Sequence, residues 1–416
     1  MLVFKFGGAS IKDANSIKNI LGIIENYKKN NLLIIISAMG KTTNNLEKLL
    51  ENYFYKKNYK EKFNEIKKFH FDIIEQLEVN NKNIFLEINE IFLLLEENLK
   101  ILPTKNYDFE YDKIVSFGEI LSTKIISIYL NFRNLKNKWI DVREILKTDN
   151  SYRNAKINWC LSKKLIKKKV IFEKKFFFIT QGFISSSVDN FTTTLGREGS
   201  DFTASIFASI LKSEKVVLWK DVKGILNADP NYFENTKKID FLSYKEVIEM
   251  AFFGAKIIHP KTIKPLENKK IPLFVKCFFA PDEKGSVIKD LKTSKINVPI
   301  FILKKNQILI SISPKDFSFM DEKNISKIFL IFFNMKIKIN LIQNSAISFS
   351  VCIDDPKEKL QKLLEILQKK FFLFFNKNLE LLTIINYMEI EIKKTILNKK
   401  IFLEQKSRRT VRFIIK

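Results

Sequence analysis

Two periods of apolar residues alternate along the first part of the chain and predict buried strands separated by helices. Leu2–Phe6 and Leu32–Ile36 are short, continuously apolar runs, which are typical of parallel strands buried on both faces. Between them, apolar side chains recur every three to four positions and predict a helix over residues 13–30. Strand, glycine-containing turn and helix follow one another twice within the first 45 residues. This is the βαβ order of an α/β sheet.

The same alternation of strands and helices continues to about residue 290. Residues 46–102 are polar with apolar positions at helical spacing, which predicts a helical cover over a site. We therefore expect a mainly parallel sheet with helices on both faces. The further elements are strands at 176–180, 215–219 and 272–277, and helices at 116–130, 202–211 and Tyr244–Phe253.

After residue 290 the chain has no glycine and its pattern changes. Strands are predicted at 299–303, 307–312, 337–342 and 345–353, and helices at 323–333 and 358–367. A strand, a helix and two more strands follow from residue 380. This is typical of ferredoxin-like βαββαβ modules. We place a domain boundary at about residue 290, giving an α/β domain of residues 1–290 and an α+β region of residues 291–416.

Charge and composition exclude several classes of partner. The net charge is +26, but only seven of the 72 basic residues are arginine, and lysine is spread over every segment. No RNA-binding or zinc-finger signature accompanies it, so we expect no nucleic-acid partner. A positive surface still attracts acidic metabolites. No apolar run reaches the ~18 residues that cross a membrane, and the first residues are no secretory signal. Three cysteines without CxxC spacing indicate a reducing, cytoplasmic setting and no membrane partner.

Residues 191–204, FTTTLGREGSDFTA, form the candidate binding loop. Gly196 and Gly199 permit a tight turn that brings backbone close to a ligand. Arg197 lies between them and offers a planar fork for a carboxylate or phosphate. Ser200 and Asp201 are predicted to cap the following helix, whose N-terminal N–H groups attract anions. The loop therefore predicts a site for an anionic small molecule.

Glycine is scarce, so we expect the glycines to lie where the backbone needs a positive φ or a close approach. The chain has 11 glycines, where average usage gives about 29. Gly40 begins a GKT sequence, but a Walker A loop needs glycine where Ile35 stands, so we reject a P-loop. Glu119 follows Gly118 at the start of a helix; it either complements the helix dipole or holds a substrate ammonium, and the sequence favours neither. His259 precedes a proline and is expected to be a structural hydrogen-bonding group.

Six motifs, taken in order, resemble those of the aspartate kinases of the amino-acid-kinase family. The C-terminal region resembles the paired ACT modules of that family, which bind effectors. The matching segments are KFGG at residues 5–8, SAMGKTTN at 37–44, SFGE at 116–119, TLGREGSD at 194–201, WKDVKG at 219–224 and FGAKIIHP at 253–260.

The resemblance implies that the γ-phosphoryl group of ATP passes to the β-carboxylate of L-aspartate, giving 4-phospho-L-aspartate. This is the first step of lysine, threonine, methionine and diaminopimelate biosynthesis. Lys5, Asp201 and Lys256 are the implied catalytic residues. Mg²⁺ is implied to bridge the nucleotide phosphates, with no metal site made by protein side chains alone. The implied nucleotide contacts are Lys5, Gly7, Gly8, Lys220, Asp221 and Lys256.

On the substrate side, the resemblance implies that Arg197 clamps the aspartate α-carboxylate. Glu119 and Asp201 are implied to face the ammonium or to orient Lys5. The remaining implied substrate contacts are Ser37, Thr43 and Ser200. A homodimer through the ACT region and an amino-acid effector, lysine or threonine, are also implied.

Three departures and two alternatives accompany this interpretation. Ala9, Leu226 and Asn231 stand where relatives have threonine, tyrosine and arginine, so we expect a nucleotide pocket that is weaker or differently lined. One alternative is another kinase of this fold acting on glutamate, acetylglutamate or UMP; Arg197 and the ACT-like tail argue against it. The other is a non-catalytic ACT-type amino-acid sensor, against which the intact Lys256 and the other site residues argue.

Overall fold

The computed structural model describes residues 1–79, 82–172, 177–316 and 318–416 and divides the chain into two compact units. Unit 1 comprises Met1–Ile225, Lys238–Ile248 and Ile257–Lys295. Unit 2 comprises Leu226–Lys237, Glu249–Lys256 and Ile296–Lys416. Two short segments before residue 290 thus belong with the C-terminal region. Within the described residues, no helix is both long and apolar enough to cross a membrane.

Thirteen strands are described up to residue 289. They are β1 (Leu2–Phe6), β2 (Leu32–Ile36), β3 (Asn137–Ile140), β4 (Lys147–Thr148), β5 (Phe177–Gln181), β6 (Ile184–Ser187), β7 (Thr192–Thr194), β8 (Lys215–Lys220), β9 (Ile225–Leu226), β10 (Lys238–Ile239), β11 (Phe241–Ser243), β12 (Leu273–Cys277) and β13 (Ser286–Lys289).

Ten α-helices are described over the same part of the chain. They are α1 (Ala14–Glu25), α2 (Thr42–Phe54), α3 (Lys60–Gln76), α4 (Lys82–Lys100), α5 (Tyr107–Val115), α6 (Phe117–Phe132), α7 (Trp159–Lys169), α8 (Gly199–Leu211), α9 (Tyr244–Phe253) and α10 (Pro260–Glu267). Two short 3-10 helices, Gly8–Ile11 and Val142–Glu144, lie between them.

The main sheet of unit 1 has eight strands in the order β11-β13-β12-β8-β1-β2-β5-β3. Its pairs are parallel except that between β12 and β13. The predicted β1 and β2 are confirmed at both ends, and every residue of each is buried. A second sheet of three strands follows the order β4-β6-β7. Phe176, placed in the predicted strand 176–180, lies outside the described residues.

The helix predicted over residues 13–30 is shorter than expected. Asp13 caps it, because its carboxylate accepts a hydrogen bond from the Ser16 N–H at 2.8 Å. The helix ends at Glu25 because the polar residues that follow extend no apolar face. The predicted helical cover divides into α2, α3 and α4, whose apolar faces pack into the same hydrophobic core as β1 and β2.

Unit 2 contains one continuous antiparallel sheet of six strands in the order β15-β16-β14-β17-β19-β18. The chain order β14-α11-β15-β16-α12-β17 is the predicted ferredoxin-like βαββαβ. The elements are β14 (Ile300–Pro314), α11 (Glu322–Asn334), β15 (Ile339–Asn344), β16 (Phe349–Asp354), α12 (Lys359–Gln368), β17 (Phe371–Ile385), α13 (Glu389–Ile396), β18 (Ile401–Lys406) and β19 (Thr410–Ile415).

The two strands predicted at 299–303 and 307–312 are wrong as separate elements. They form the single strand β14, with an irregular register against β17 between Lys304 and Gln307. Asn306 has φ +55° at this point. A bulge bends a strand and redirects its side chains without ending the ladder. The polar residues that suggested a loop between two strands form this bulge.

Candidate functional site

A cavity of about 510 Å³ lies in unit 1, where β1, β2 and β8 reach their carboxyl ends. In open α/β sheets this edge is where ligands bind. Parallel pairing places Lys5 beside Ile35 of β2 and Leu218 of β8. The predicted site residues that line the cavity are Lys5, Gly8, Ser37, Thr43, Glu119, Arg197, Ser200, Asp201 and Lys220.

Three other predicted residues do not belong to this lining. Gly7 precedes Gly8, and a side-chain carbon at Gly7 would lie 3.4 Å from Nζ of Lys5. Asp221 is exposed directly after β8. Lys256 is exposed and belongs to unit 2.

Asp201 is buried between two lysines. Its Oδ1 lies 2.7 Å from Nζ of Lys5, and its Oδ2 lies 3.3 Å from Nζ of Lys220. Burial alone would raise the pKa of Asp201, but Lys220 and Lys5 more than offset this and lower it to about 2. Lys220 also donates to the Ile257 carbonyl at 3.0 Å. Two ammonium groups are therefore held beside the cavity by one carboxylate that stays ionised.

The start of α8 differs from the prediction. Ser200 and Asp201 are not the cap: they lie in the first turn of a helix that begins at Gly199, and no side chain caps it. The residue before the helix is Glu198, in the left-handed conformation at φ +54°. Asp201 pairs with the two lysines instead of capping the helix, and the first turn of α8 lies beside the cavity, where a helix N-terminus attracts anions.

Two glycines make close backbone approaches at the cavity possible. A side-chain carbon at Gly8 would lie 2.8 Å from the Ala38 carbonyl oxygen, and the Gly40 N–H donates to the Gly8 carbonyl at 3.1 Å. Gly196 has φ +75°. A side-chain carbon there would lie 2.9 Å from the Arg153 carbonyl oxygen. These positions require glycine for steric reasons.

Arg197 is exposed at the cavity and makes no hydrogen bond or ion pair within the described chain. Its predicted role as an anion ligand stays a prediction. The arrangement leaves a guanidinium fork available to a carboxylate or phosphate.

Glu119 lies in the first turn of α6 and is 3% exposed. Its Oε1 accepts a hydrogen bond from the Ala38 N–H at 3.3 Å, while its Oε2 is buried and has no hydrogen-bond partner among the described residues. Burial raises the pKa of Glu119 to about 8, and the Lys5 charge offsets this only in part. The free oxygen is suited to a cationic group of a ligand.

The sequence interpretation missed Arg153 and Tyr111, which also line the cavity. The Arg153 guanidinium lies 4.4 Å from the centre of the Tyr111 ring and pairs with Asp108 at 3.2 Å. Its backbone N–H donates to Asp112, which also accepts from the backbone and hydroxyl of Thr194. Only the scarcity of arginine could have drawn attention to Arg153, because no motif surrounds it.

Neither histidine is placed to act as a base at the cavity. His70 is fully buried in α3, where its Nδ1 lies 2.8 Å from the Ile66 carbonyl oxygen. His259 accepts a hydrogen bond from the Lys261 N–H at 3.1 Å and so caps α10. In the described part of the chain, no group of three or more His, Cys, Asp or Glu could hold a metal ion.

Comparisons with known proteins identify the family of this chain. The model of the amino acid kinase family matches residues 1–277. Lysine-sensitive aspartokinase 3 of Escherichia coli is 31% identical over 363 residues, covering 85% of this chain and 78% of that protein. The chloroplastic aspartokinase 1 of Arabidopsis thaliana is 29% identical and covers 87% of this chain. The match spans 65% of that plant protein, just under two thirds of its length.

A solved structure shows the same fold along the whole chain. Aspartokinase III of E. coli, in complex with aspartate and ADP, is similar with a TM-score of 0.83 at 26% identity. The similarity covers 100% of this chain and 96% of that one.

Proposed function

Since the chain belongs to the amino acid kinase family and groups there with the aspartokinases, we propose that it phosphorylates L-aspartate with ATP. The γ-phosphoryl group passes to the β-carboxylate and gives 4-phospho-L-aspartate. The observation that carries this proposal is the buried Asp201, paired with Lys5 and Lys220 at a cavity that also exposes Arg197. It supplies cations for the phosphates and a separate fork for the acceptor.

Lys5 and Lys220 bind the phosphates of the nucleotide in this proposal. The backbone N–H groups at Gly7 and Gly8 and the uncapped first turn of α8 add donors for phosphate oxygens. ATP enters with Mg²⁺, which neutralises phosphate charge.

Aspartate binds through its α-carboxylate and its α-ammonium group. Arg197 receives the α-carboxylate, because its guanidinium has no partner in the described chain. The ammonium lies against the unpaired Oε2 of Glu119. Ser37, Thr43 and Ser200 line the same cavity and offer hydroxyls that orient the substrate.

The chemistry needs alignment and charge neutralisation more than proton transfer. A β-carboxylate with a pKa near 3.9 is ionised at neutral pH, so the nucleophile requires no general base. This suits a cavity without histidine. Lys5 stabilises the negative charge of the transferring group, and Asp201 fixes its orientation.

Lys256 and Asp221 remain part of the proposal through the motifs alone. Lys256 completes the catalytic set by contacting the transferred phosphates. Asp221 lies next to Lys220 in sequence and is assigned to the nucleotide.

We assign the ACT region to dimer formation and to effector binding. Helix α11 exposes Phe329, Leu330 and Phe333, the last to 78%. Apolar side chains clustered on one exposed helix mark a contact surface. The E. coli relative is named as lysine-sensitive, so lysine is the first effector to test, and threonine the second. The reaction is then the first step of lysine, threonine and methionine biosynthesis.

The test is ADP release measured by a coupled assay with L-aspartate, L-glutamate or UMP as acceptor. We expect ADP release that depends on L-aspartate and is far slower with the other two. Equal rates without any acceptor, or a preference for UMP, would contradict the proposal.

A further inference from the structure

The end of helix α9 is packed against the sheet of unit 2. The helix begins in unit 1, but its last residues and the segment up to Lys256 belong to unit 2. Phe253 contacts Arg412, and Gly254 lies against Lys304. Lys256, which the proposed function places against the phosphates, follows two positions later.

Gly254 makes the closest approach. It has φ +115°, and the Gly254 and Ala255 N–H groups both donate to the Met250 carbonyl. The aliphatic stem of Lys304 fills the space beside it: a side-chain carbon at Gly254 would lie 2.3 Å from Cε of Lys304. This φ strongly favours glycine, and any side chain here would also displace the stem of Lys304.

Lys304 is held in turn by a polar network that reaches from the partly buried Lys304 to the exposed Asp354. Its ammonium donates to Oδ1 of Asn340 at 2.8 Å. The Asn340 amide donates to Gln307 at 2.8 Å and to Asp354 at 3.0 Å, and Gln307 donates to Asp354 at 2.8 Å. Lys304 and Gln307 flank the bulge of β14, and Asn340 lies at an irregularity of β15. Both irregularities redirect polar side chains into the network.

Arg412 of β19 joins Phe253 to the same network. It is 9% exposed, and its Nη2 donates to the Asn340 carbonyl at 2.7 Å. Its guanidinium lies 5.1 Å from the centre of the Phe253 ring, which is a cation–π contact. Arg412 and Lys304 of the ACT sheet therefore hold the two residues that precede the Ala255-Lys256 pair.

We propose that Arg412 and Lys304 are positioning residues for Lys256, because they fix Phe253 and Gly254 against the ACT sheet. The inference rests on the proposed function, in which Lys256 contacts the transferred phosphates. A lysine that acts by position loses its effect when the preceding backbone moves by about 1 Å.

The test compares Phe253→Leu with Phe374→Leu, a change in strand β17 of the same sheet. Phe374 is 75% exposed, so its variant is the matched control. We expect Phe253→Leu and Arg412→Met to lower kcat on the order of 10- to 100-fold, with a small change in the KM for aspartate. Hydrogen exchange of the amides around residues 253–257 should accelerate in both variants and stay unchanged in Phe374→Leu.

Two further arms separate positioning from loss of structure. In a Lys256→Ala background, Arg412→Met should change kcat by less than about 2-fold, because both act through one group. Gly254→Ala strains the backbone at φ +115° and displaces the stem of Lys304, so it should reproduce the loss. Arg408→Met alters an exposed residue in the turn between β18 and β19 and should have no effect.

The inference is overturned if Phe253→Leu and Arg412→Met keep the kcat and exchange of the unmodified chain. It is equally overturned if Arg412→Met costs the same factor with and without Lys256. A chain that releases no ADP with aspartate would refute the proposed function instead. The exchange measurement would then still decide whether the network holds this segment.

Discussion

The Nζ of Lys5 lies 2.7 Å from Oδ1 of Asp201, and this ion pair joins the first strand of the sheet to the first turn of α8. Both side chains are almost completely buried: the lysine side chain is 10% exposed and the aspartate side chain is 4% exposed. A buried ammonium with a fixed carboxylate partner is preorganised for developing negative charge, since it needs no reorientation when the phosphoryl group transfers.

We expect Lys5→Met to lower kcat by on the order of 10²-fold or more, with a smaller change in the KM for ATP. Asp201→Asn should give a similar loss, and the double variant should be little worse than either single one. Asp72→Asn breaks an exposed lysine–aspartate pair and serves as the control. Steady-state kinetics that showed only a raised KM for ATP would make Lys5 a ground-state contact.

For Arg197, the prediction concerns the acceptor alone. Arg197→Ala should weaken aspartate use by roughly 2–4 kcal/mol in kcat/KM and leave the KM for ATP nearly unchanged. Arg197→Lys should not restore it, because a point charge lacks the planar fork.

Arg153→Ala is the matched control, since it removes another guanidinium from the lining of the same cavity. We expect a smaller loss there, because Arg153 is already engaged by Tyr111 and Asp108. If Arg197→Ala kept a normal KM for aspartate, the assignment of this residue would fail.

Glu119 should couple aspartate binding to pH. Its pKa of about 8 means that the free carboxyl is largely protonated at pH 7. Binding an ammonium favours the ionised form, so aspartate affinity should rise between pH 6.5 and 8.5 and protons should be released on binding. Calorimetry at pH 7 in two buffers of different ionisation enthalpy measures this release. Glu119→Gln should abolish it, and an unmodified chain without buffer dependence would contradict the role.

His70 should make the protein less stable in mild acid. Burial lowers its pKa from 6.5 to about 4, so the unfolded chain binds the proton more readily between these values. The free energy of unfolding should therefore fall as pH drops from 6.5 to 4, by up to about 3 kcal/mol from this group.

His70→Phe fits among Phe69 and Phe92 and removes the titrating group. Urea unfolding at pH 7 and pH 5 should show a smaller difference for this variant than for the unmodified chain. An identical difference in both proteins would exclude His70 as a source of the acid sensitivity.

Phe333→Glu tests the proposed dimer surface. Placing a charge on the exposed face of α11 should give a monomer by light scattering, and it should also remove any inhibition by lysine or threonine. Leu102→Glu alters a residue of unit 1 that is 76% exposed and should change neither. A variant that stayed dimeric, or an unmodified chain that is monomeric, would refute this assignment.

The fold was predictable where a pattern was local. The apolar runs of β1 and β2 end at glycine or polar turns, so their bounds were correct. The amino-acid-kinase fold with ACT-like modules is confirmed by the solved relative that covers the chain. The bulge in β14 was not predictable, because Lys304 to Asn306 reads as a polar turn until the neighbouring strand β17 is known.

The site was predictable to the extent that motifs carried it. Lys5, Glu119, Arg197 and Asp201 lie at one cavity, although they are far apart in sequence. The role of Asp201 was assigned wrongly in part, because a cap and an ion-pair partner have the same sequence signature at a helix start. Arg153 was missed because no motif surrounds it in the sequence. The anchoring of Phe253 by Arg412 depends on a contact between distant strands and helices, which no local pattern reports.

The most direct test of the account is to trap the product with hydroxylamine. An acyl phosphate on the β-carboxylate reacts to give β-aspartyl hydroxamate, which identifies both the acceptor molecule and the carboxyl group that was phosphorylated. We expect hydroxamate that requires ATP and L-aspartate and forms in equal amount to ADP. ADP release without β-aspartyl hydroxamate, or hydroxamate derived from another acceptor, would contradict the claim that this chain phosphorylates the aspartate β-carboxylate.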